Sequence, residues 1–322
     1  MSVKNLLNGV EDTLYIPLVA RIYASEKFPE FFYDEKALSL KQYIPTDSID
    51  NNTTEYFYMA SVCRQQTIDR KIINFLEKNS ESNVVFLGAG LETACNRINN
   101  IKANFYQVDL PNVINVREKA LGNANNERLI SGDMFTLNWI KEIDVKLPTM
   151  IVVSGVYQYF DETEIIQMIK KMKLLIPKGE LVFDATNSKG LKLANKYVKK
   201  TGNTNAQMYF SIDNPKEFAN LTDTRLIGVD GFFSGALKYC RGLKLITRIY
   251  ITVLNKNFLC KCLVHAQCRT RYSASGIRNI HHLKDSLDFA VFSVRTMQNR
   301  KCKVYRSACL AYGNSVDRKS VV

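Results

Sequence analysis

One short run constrains this 322-residue chain more than any other: Val84-Val85-Phe86-Leu87-Gly88-Ala89-Gly90-Leu91-Glu92-Thr93, answered by Tyr106-Gln107-Val108-Asp109-Leu110-Pro111. Four apolar residues leading into a Gly-x-Gly turn read as a buried parallel strand that stops abruptly and hands over to a helix. Glycine suits such a turn because it bends tightly and lets a ligand approach without a Cβ in the way. Asp109 follows Gly88 by 21 positions, at the end of a second apolar strand, where a carboxylate can grip two ribose hydroxyls. The second reading of Asp109 is a cap for the helix that Pro111 opens.

The dinucleotide fingerprint requires a third glycine, which packs helix against strand over a pyrophosphate. Thr93 occupies that position and Glu92 precedes it. Thr93 argues against a nicotinamide dehydrogenase, and a nucleoside cofactor without phosphate fits better. S-adenosylmethionine (SAM) is the common one.

The pattern continues in the order of a doubly wound, mostly parallel α/β sheet. Glu92 to Asn100 reads as helix, Asn104 to Leu110 as strand, and Pro111 to Leu121 as helix. Arg128 to Asp133 and Thr149 to Val153 read as the third and fourth strands. Asp161 is placed to cap an amphipathic helix with Ile165, Ile166, Met168, Ile169, Met172 and Leu175 at core spacing. Glu180 to Ala185 forms the fifth strand. Ligands of such sheets bind beyond the carboxyl ends of the strands, where Gly88, Asp109, Asp133, Ser154 and Asp184 all fall.

These residues resemble the leucine carboxyl methyltransferase and polyketide O-methyltransferase family of class I SAM-dependent enzymes. The resemblance runs from about Gly9 to about Gln267. It rests on the opening Val10 to Arg21, on Ala60-Ser61-Val62-Cys63-Arg64, on Leu87-Gly88-Ala89-Gly90-Leu91, on Val108-Asp109-Leu110-Pro111 and on Gly155 to Phe160. It implies a Rossmann-like core over 81–267, a helical N-terminal cap over 1–80 and a second cap element near 188–222. It implies SAM as cofactor, with Gly88 and Gly90 lining the methionine moiety and Arg64 pairing with its carboxylate through a guanidinium fork. Asp109 would hold the ribose, Asp133 and Met134 the adenine, and Ser154 would lie beside the cofactor. Arg21 and Tyr159 would face the acceptor and serve as catalytic residues. The chain departs from the family pattern at Glu92-Thr93-Ala94, where Asp, Thr and Arg are usual, and at Ser154, where Glu is usual.

Several of these residues keep a plainer alternative. Asp133 also reads as a turn residue, and Arg64 as an ion-pair partner on a solvated helix. Tyr157 and Tyr159 would share one face of an extended segment.

Methyl transfer asks the protein chiefly to hold a nucleophile in line with the methyl carbon. A carboxylate is already ionised, whereas a phenol or alcohol wants a general base. His265, His281 and His282 all lie at or beyond the end of the matching region. Their position favours a carboxylate or a readily ionised phenol, with Tyr or Asp184 as substitutes for a histidine base. The expected activity is O-methylation of a small-molecule acceptor. A protein's C-terminal carboxylate and a catalytically silent SAM-binding protein are the alternatives.

The net charge of +13 raises the question of a nucleic-acid partner. Residues 268–322 contribute +8 and the rest only +5, so the body lacks a phosphate-binding bias. No nucleic-acid or membrane partner is expected, and oligomeric state is not set. Gly242 to Leu254 is apolar but interrupted by Lys244 and Arg248, an amphipathic helix and not a membrane span. Met1 to Asp12 lacks the pattern of a signal peptide, which leads to an expectation of a cytoplasmic protein with reduced cysteines. Cys260-x-Cys262-x-x-His265-x-x-Cys268 is too crowded for a zinc site, and alternation along an edge strand explains Cys260 and Cys262 equally well, so no metal is expected. The segment 268–322 matches nothing in the family. It is either sequence foreign to the fold, as the adapter-like ending Asp317 to Val322 suggests, or a disordered basic extension.

Overall fold

The computed structural model describes residues 12–44, 54–98, 100, 102–200, 207–233, 236–257 and 262–267. Its elements run α1 (Asp12–Lys27), α2 (Glu35–Ser39), α3 (Glu55–Lys78), β1 (Ser82–Leu87), α4 (Ala94–Ile98), β2 (Ala103–Asp109) and α5 (Pro111–Leu121). Then follow β3 (Glu127–Ser131), β4 (Thr149–Val153), α6 (Glu162–Leu175), β5 (Gly179–Ala185) and α7 (Ser188–Lys200). The described part ends with α8 (Pro215–Leu221), β6 (Arg225–Gly231), α9 (Ala236–Tyr239), α10 (Leu245–Asn257) and β7 (Cys262–Gln267).

The strands form one sheet in the order β3-β2-β1-β4-β5-β7-β6. The pairs from β3 to β5 are parallel, and β7 runs antiparallel between β5 and β6. The strand order reverses between β1 and its neighbours β2 and β4, the switch point where α/β sheets open a crevice at their carboxyl ends.

Period-two alternation explains why the central strands are apolar on both sides. Val84 and Phe86 of β1, with Met150 and Val152 of β4, pack beneath α1 and α3 beside Ile68, Ile72, Phe75 and Phe32. Val85 and Leu87, with Ile151 and Val153, face the other way onto Ile165, Ile169 and Met172 of α6 and onto Trp139. Every residue of β1 and β4 is buried, as the sequence of these strands demands. Both cap signals hold. Asp161 accepts the Thr163 N–H at 2.8 Å at the start of α6, and Pro111 sits in the first turn of α5.

Four local expectations are corrected. Helix α4 begins at Ala94 and not at Glu92, because the Glu92 carboxylate accepts the N–H groups of Thr93 and Ala94, both at 2.7 Å, and so acts as its cap. The third strand ends at Ser131, since Asp133 turns the chain into a 3-10 turn over Met134–Thr136 by accepting the Phe135 N–H at 2.8 Å. Tyr157–Tyr159 is also a 3-10 turn, so the two tyrosines do not share a strand face. Tyr157 is buried and Tyr159 half-buried. Finally, β7 is not an edge strand, because β6 covers its outer side. Its His265 bonds Glu180 of β5 at 2.7 Å, while Cys260, Cys268 and the segment 268–322 lie outside the described residues.

Candidate active site

The glycine turn between β1 and α4 is held from behind by two buried arginines. Gly88 and Gly90 take φ values of +69° and +51°, the left-handed region that an L side chain enters only with strain. Arg117 of α5 reaches under the turn, where its Nη1 donates to the Gly90 carbonyl at 3.1 Å and its Nη2 pairs with Glu127 at 2.6 Å. Arg21 of α1 donates to the Leu91 carbonyl and to Thr93 Oγ1, both at 2.7 Å. On the other side, the Gly88 and Ala89 N–H groups both donate to the Val108 carbonyl, at 2.9 and 3.2 Å, which ties the turn to the end of β2. The Gly90 N–H donates to Asp109 Oδ2 at 2.8 Å, which bridges the carboxyl ends of β1 and β2. Asp109 lies one residue ahead of the cap position of α5. The cap position is Leu110, which makes no side-chain bond there, and Asp109 Oδ1 accepts the Leu110 N–H at 2.8 Å.

The neighbouring strand ends converge on Arg64. Its Nη1 pairs with Asp184 Oδ2 at 3.0 Å, and Asp184 Oδ1 accepts the Gly155 N–H at 2.6 Å. One carboxylate at the end of β5 thus fixes both the guanidinium and the turn after β4. Gly155 has φ +73°, and a Cβ there would stand 3.2 Å from Arg64 Nη1. The guanidinium is mostly buried, not displayed on a solvated helix face, and its Nε has no hydrogen-bond partner among the described residues. Asp184 and Gly155 are the site-forming residues that motif spacing alone left unassigned. Their signal was the position of each at a strand's carboxyl end.

The third side of the crevice comes from β3. The Gly132 N–H continues the ladder to the Asp109 carbonyl at 2.8 Å, which brings Asp133 and Met134 next to Asp109. Asp133 is exposed and Met134 buried. The Met134 carbonyl accepts from Trp139 Nε1 at 3.1 Å, and Phe135 lies against Phe160 with ring centroids 4.7 Å apart. Ser154, Gly155 and the turn carrying Tyr159 complete the rim after β4.

Residues 16–173 match the leucine carboxyl methyltransferase family. The match covers just under half of the chain, which over this stretch is similar to that family. Its members are SAM-dependent methyltransferases, and the sheet described above is the class I form of that fold. The chain is 25% identical over 211 residues to the tetracenomycin polyketide synthesis O-methyltransferase TcmP of Streptomyces glaucescens, covering 65% of this chain and 78% of that one. Among solved structures, a DUF574 family protein from Streptomyces avermitilis shares the fold with a TM-score of 0.50 and 12% identity, over 77% of this chain and 96% of the other. The chain spans 56% of human N-acetylserotonin methyltransferase, solved in complex with SAM, with 67% of its own residues covered, 9% identity and a TM-score of 0.42.

Within this methyltransferase, Gly88, Gly90, Asp109, Asp133, Met134, Ser154 and Tyr159 all lie at or just after the carboxyl ends of β1 to β4, and Arg64 reaches the end of β5 through Asp184. Arg21 is the exception. It was expected to face the acceptor, but its guanidinium is only 4% exposed and lies behind the glycine turn. There it approaches Asp34 and Glu92, each at 3.6 Å. A desolvated guanidinium needs carboxylates, and these are the carboxylates within its reach.

That network also takes in the segment Glu92-Thr93-Ala94 through Arg97, one turn further along α4. Arg97 bonds Glu92 and Asp34 at 2.9 Å and clasps Asp69 in a two-pronged pair at 2.8 and 2.9 Å. Burial pushes the Glu92 carboxyl up, but the charges of Arg97 and Arg21 outweigh it and bring it to about 2. Burial dominates at Asp69, whose carboxyl is raised despite Arg97. Asp34 closes the network by capping α2 through the Ala37 N–H at 2.8 Å and by accepting the Thr93 hydroxyl at 2.6 Å. The N-terminal helices are thereby tied by charge to the glycine turn.

Proposed function

We propose that this methyltransferase transfers a methyl group from SAM to an oxygen, carboxylate or phenolate, of a small-molecule acceptor. The observation that carries the reading is the union of a left-handed glycine turn, the Asp109 carboxylate and the Arg64–Asp184 pair around one crevice. The donor set fits SAM. Arg64 offers a guanidinium with an unpartnered Nε to a cofactor carboxylate. Asp109 holds the position for two ribose hydroxyls, and its bond to the Gly90 N–H keeps it there. Asp133 is exposed beside the crevice for an exocyclic amine, with Met134 and Ser154 alongside. Bound SAM supplies an electrophilic methyl group, so this chain's task is chiefly orientation and exclusion of water.

Tyr159, half-buried after β4, is the acceptor-facing residue in this reading. Arg21 acts through its hold on the Leu91 carbonyl as a positioning residue. In this reading the N-terminal helices, with α7 and α8, supply the cap, and the region up to residue 267 works as one methyltransferase core. An oxygen acceptor that is ionised at neutral pH requires no base, in keeping with a crevice to which no described residue brings a histidine. The similarity to TcmP, an O-methyltransferase, supports oxygen as the acceptor atom.

Calorimetric titration of the full chain with SAM, with NAD as control, tests the cofactor. Asp109→Ala should weaken SAM binding by roughly 1–3 kcal/mol, the cost of losing a charged hydrogen-bond partner. A folded chain that binds no SAM would overturn the proposal. A chain that binds SAM but methylates neither carboxylate nor phenol acceptors in a screen would leave the site in place and remove the transferase activity.

A further inference from the structure

The connection between β6 and β7 carries a surface that the site does not use. It leaves the sheet at Gly231 and returns at Cys262, which pair with each other and lie beside Ala185 at the carboxyl-end rim. Its main element, α10, turns Thr247 and Ile251 inward, where both are buried. The helix is fastened at its start by Glu55 of α3, whose Oε2 accepts the Lys244 N–H at 2.8 Å. Glu55 is held in turn by the Tyr23 hydroxyl at 2.6 Å and Lys27 at 3.3 Å, so α10 sits on a braced base.

The outward side of α10 is apolar. Leu245 is 73% exposed, Ile246 56%, Ile249 49%, Tyr250 52% and Val253 49%. At ~100° per residue these side chains share one arc of about 140°, with Tyr250 at its edge, where its ring lies 5.8 Å from that of Tyr56 on α3. A contiguous stripe of this kind marks an interaction surface and not ordinary scatter of apolar residues. Its flanks carry the second signal. Lys238, Arg241, Lys244 and Arg248 are all exposed, and residues 236–257 contain no Asp or Glu. A second copy placed on this stripe would bring like charges together, whereas an anionic lipid surface satisfies the apolar arc and the basic flanks at once. A helix of 13 residues is about 20 Å long, suited to lying in the plane of an interface, and no helix among the described residues is long and apolar enough to cross one.

We propose that α10 and its flanking lysines and arginines form a docking surface for an anionic membrane. Docking in this form stands apart from the assignment of SAM. Only its consequence, delivery of an apolar acceptor from the bilayer to the crevice, rests on the proposed activity.

Flotation of the full chain with phosphatidylcholine vesicles, with and without phosphatidylserine, tests it. The chain should float with the anionic vesicles and not with phosphatidylcholine alone. The double substitution Leu245→Ser/Ile249→Ser should lower partition at least about tenfold, because burying each aliphatic side chain is worth more than one decade. Unchanged SAM binding shows that the variant is folded. A second variant, Lys244→Glu/Arg248→Glu, should lower flotation on anionic vesicles with its near-ultraviolet circular dichroism unaltered. Failure of the wild-type chain to float on anionic vesicles overturns the proposal. So does wild-type flotation of both variants, since the basic segment beyond residue 267 would then carry the binding. A wild-type dimer that the serine variant converts to a monomer overturns it as well, because a second copy would then cover the stripe.

Discussion

Replacing Arg97 by Met keeps most of the side-chain volume and removes one charge from a closed electrostatic network. Two guanidinium groups, Arg21 and Arg97, face the carboxylates of Asp34, Asp69 and Glu92, so the cluster holds one negative charge in excess. Without Arg97 the excess doubles around Arg21 alone, and Asp69 loses both of its bonds to that guanidinium. The Asp34 carboxylate is fully buried and Glu92 nearly so, which leaves solvent little room to compensate. Breaking a buried pair in this way costs about 3–5 kcal/mol. Loss of the Arg97 contact with the Phe32 ring, 5.0 Å from the guanidinium carbon, adds to that only slightly, since Met packs there too.

For a chain of this length the midpoint of thermal unfolding should fall by roughly 6–12 °C at neutral pH. The effect has a pH signature. Glu92 titrates near 2 in the folded wild type against an ordinary value of 4.5, so it stabilises the fold above about pH 4.5 and ceases to do so as pH falls toward 2. Removing Arg97 raises that folded pKa, so Glu92 contributes less at pH 7 and has less to lose on acidification. Asp69, already raised by burial, moves further up and adds to the same trend. The gap between variant and wild type should therefore be widest near pH 7 and narrow toward pH 4. Urea unfolding at both pH values measures it. An equal loss at the two, or a loss under about 1 kcal/mol at pH 7, would refute the view that these charges are coupled and desolvated.

Other substitutions probe the crevice. Gly155→Ala meets both a φ of +73° and the Arg64 guanidinium 3.2 Å from the new Cβ. It should cost about 1–2 kcal/mol in chemical unfolding and weaken SAM binding in calorimetry by displacing Arg64. Gly90→Ala carries the same backbone strain at φ +51° and stands 2.9 Å from Leu14 Cδ2. Adding Leu14→Ala should relieve the contact but not the strain, so the double variant remains destabilised by about 1–2 kcal/mol relative to Leu14→Ala alone.

The sequence by itself determined the sheet and the position of its crevice. Apolar runs such as Val84 to Leu87 and Ile151 to Val153 permit only strands buried on both faces, and glycines at their ends permit only tight turns. That is why Gly88, Asp109, Asp133 and Ser154 were legible as a group, along with the caps at Pro111 and Asp161. Spacing along the chain carries such information because each residue needs only its own strand or turn to be placed.

Only the tertiary structure decided what depends on partners distant in sequence. Arg21 matches a family motif, yet 70 residues separate it from the Leu91 carbonyl that fixes its side chain behind the turn. Asp184 meets Arg64 from 120 residues away, and Arg97 is neutralised only because Asp34 and Asp69 fold against it. The antiparallel strand β7 lies inside the sheet because β6 reaches the edge first, a matter of topology that no local pattern encodes. The apolar side of α10 was visible as amphipathic, but which arc is buried was set by Glu55 and the rim it anchors. Charge and burial act between neighbours in space, so the residues that hold the site were chosen by the fold and not by their position in the chain.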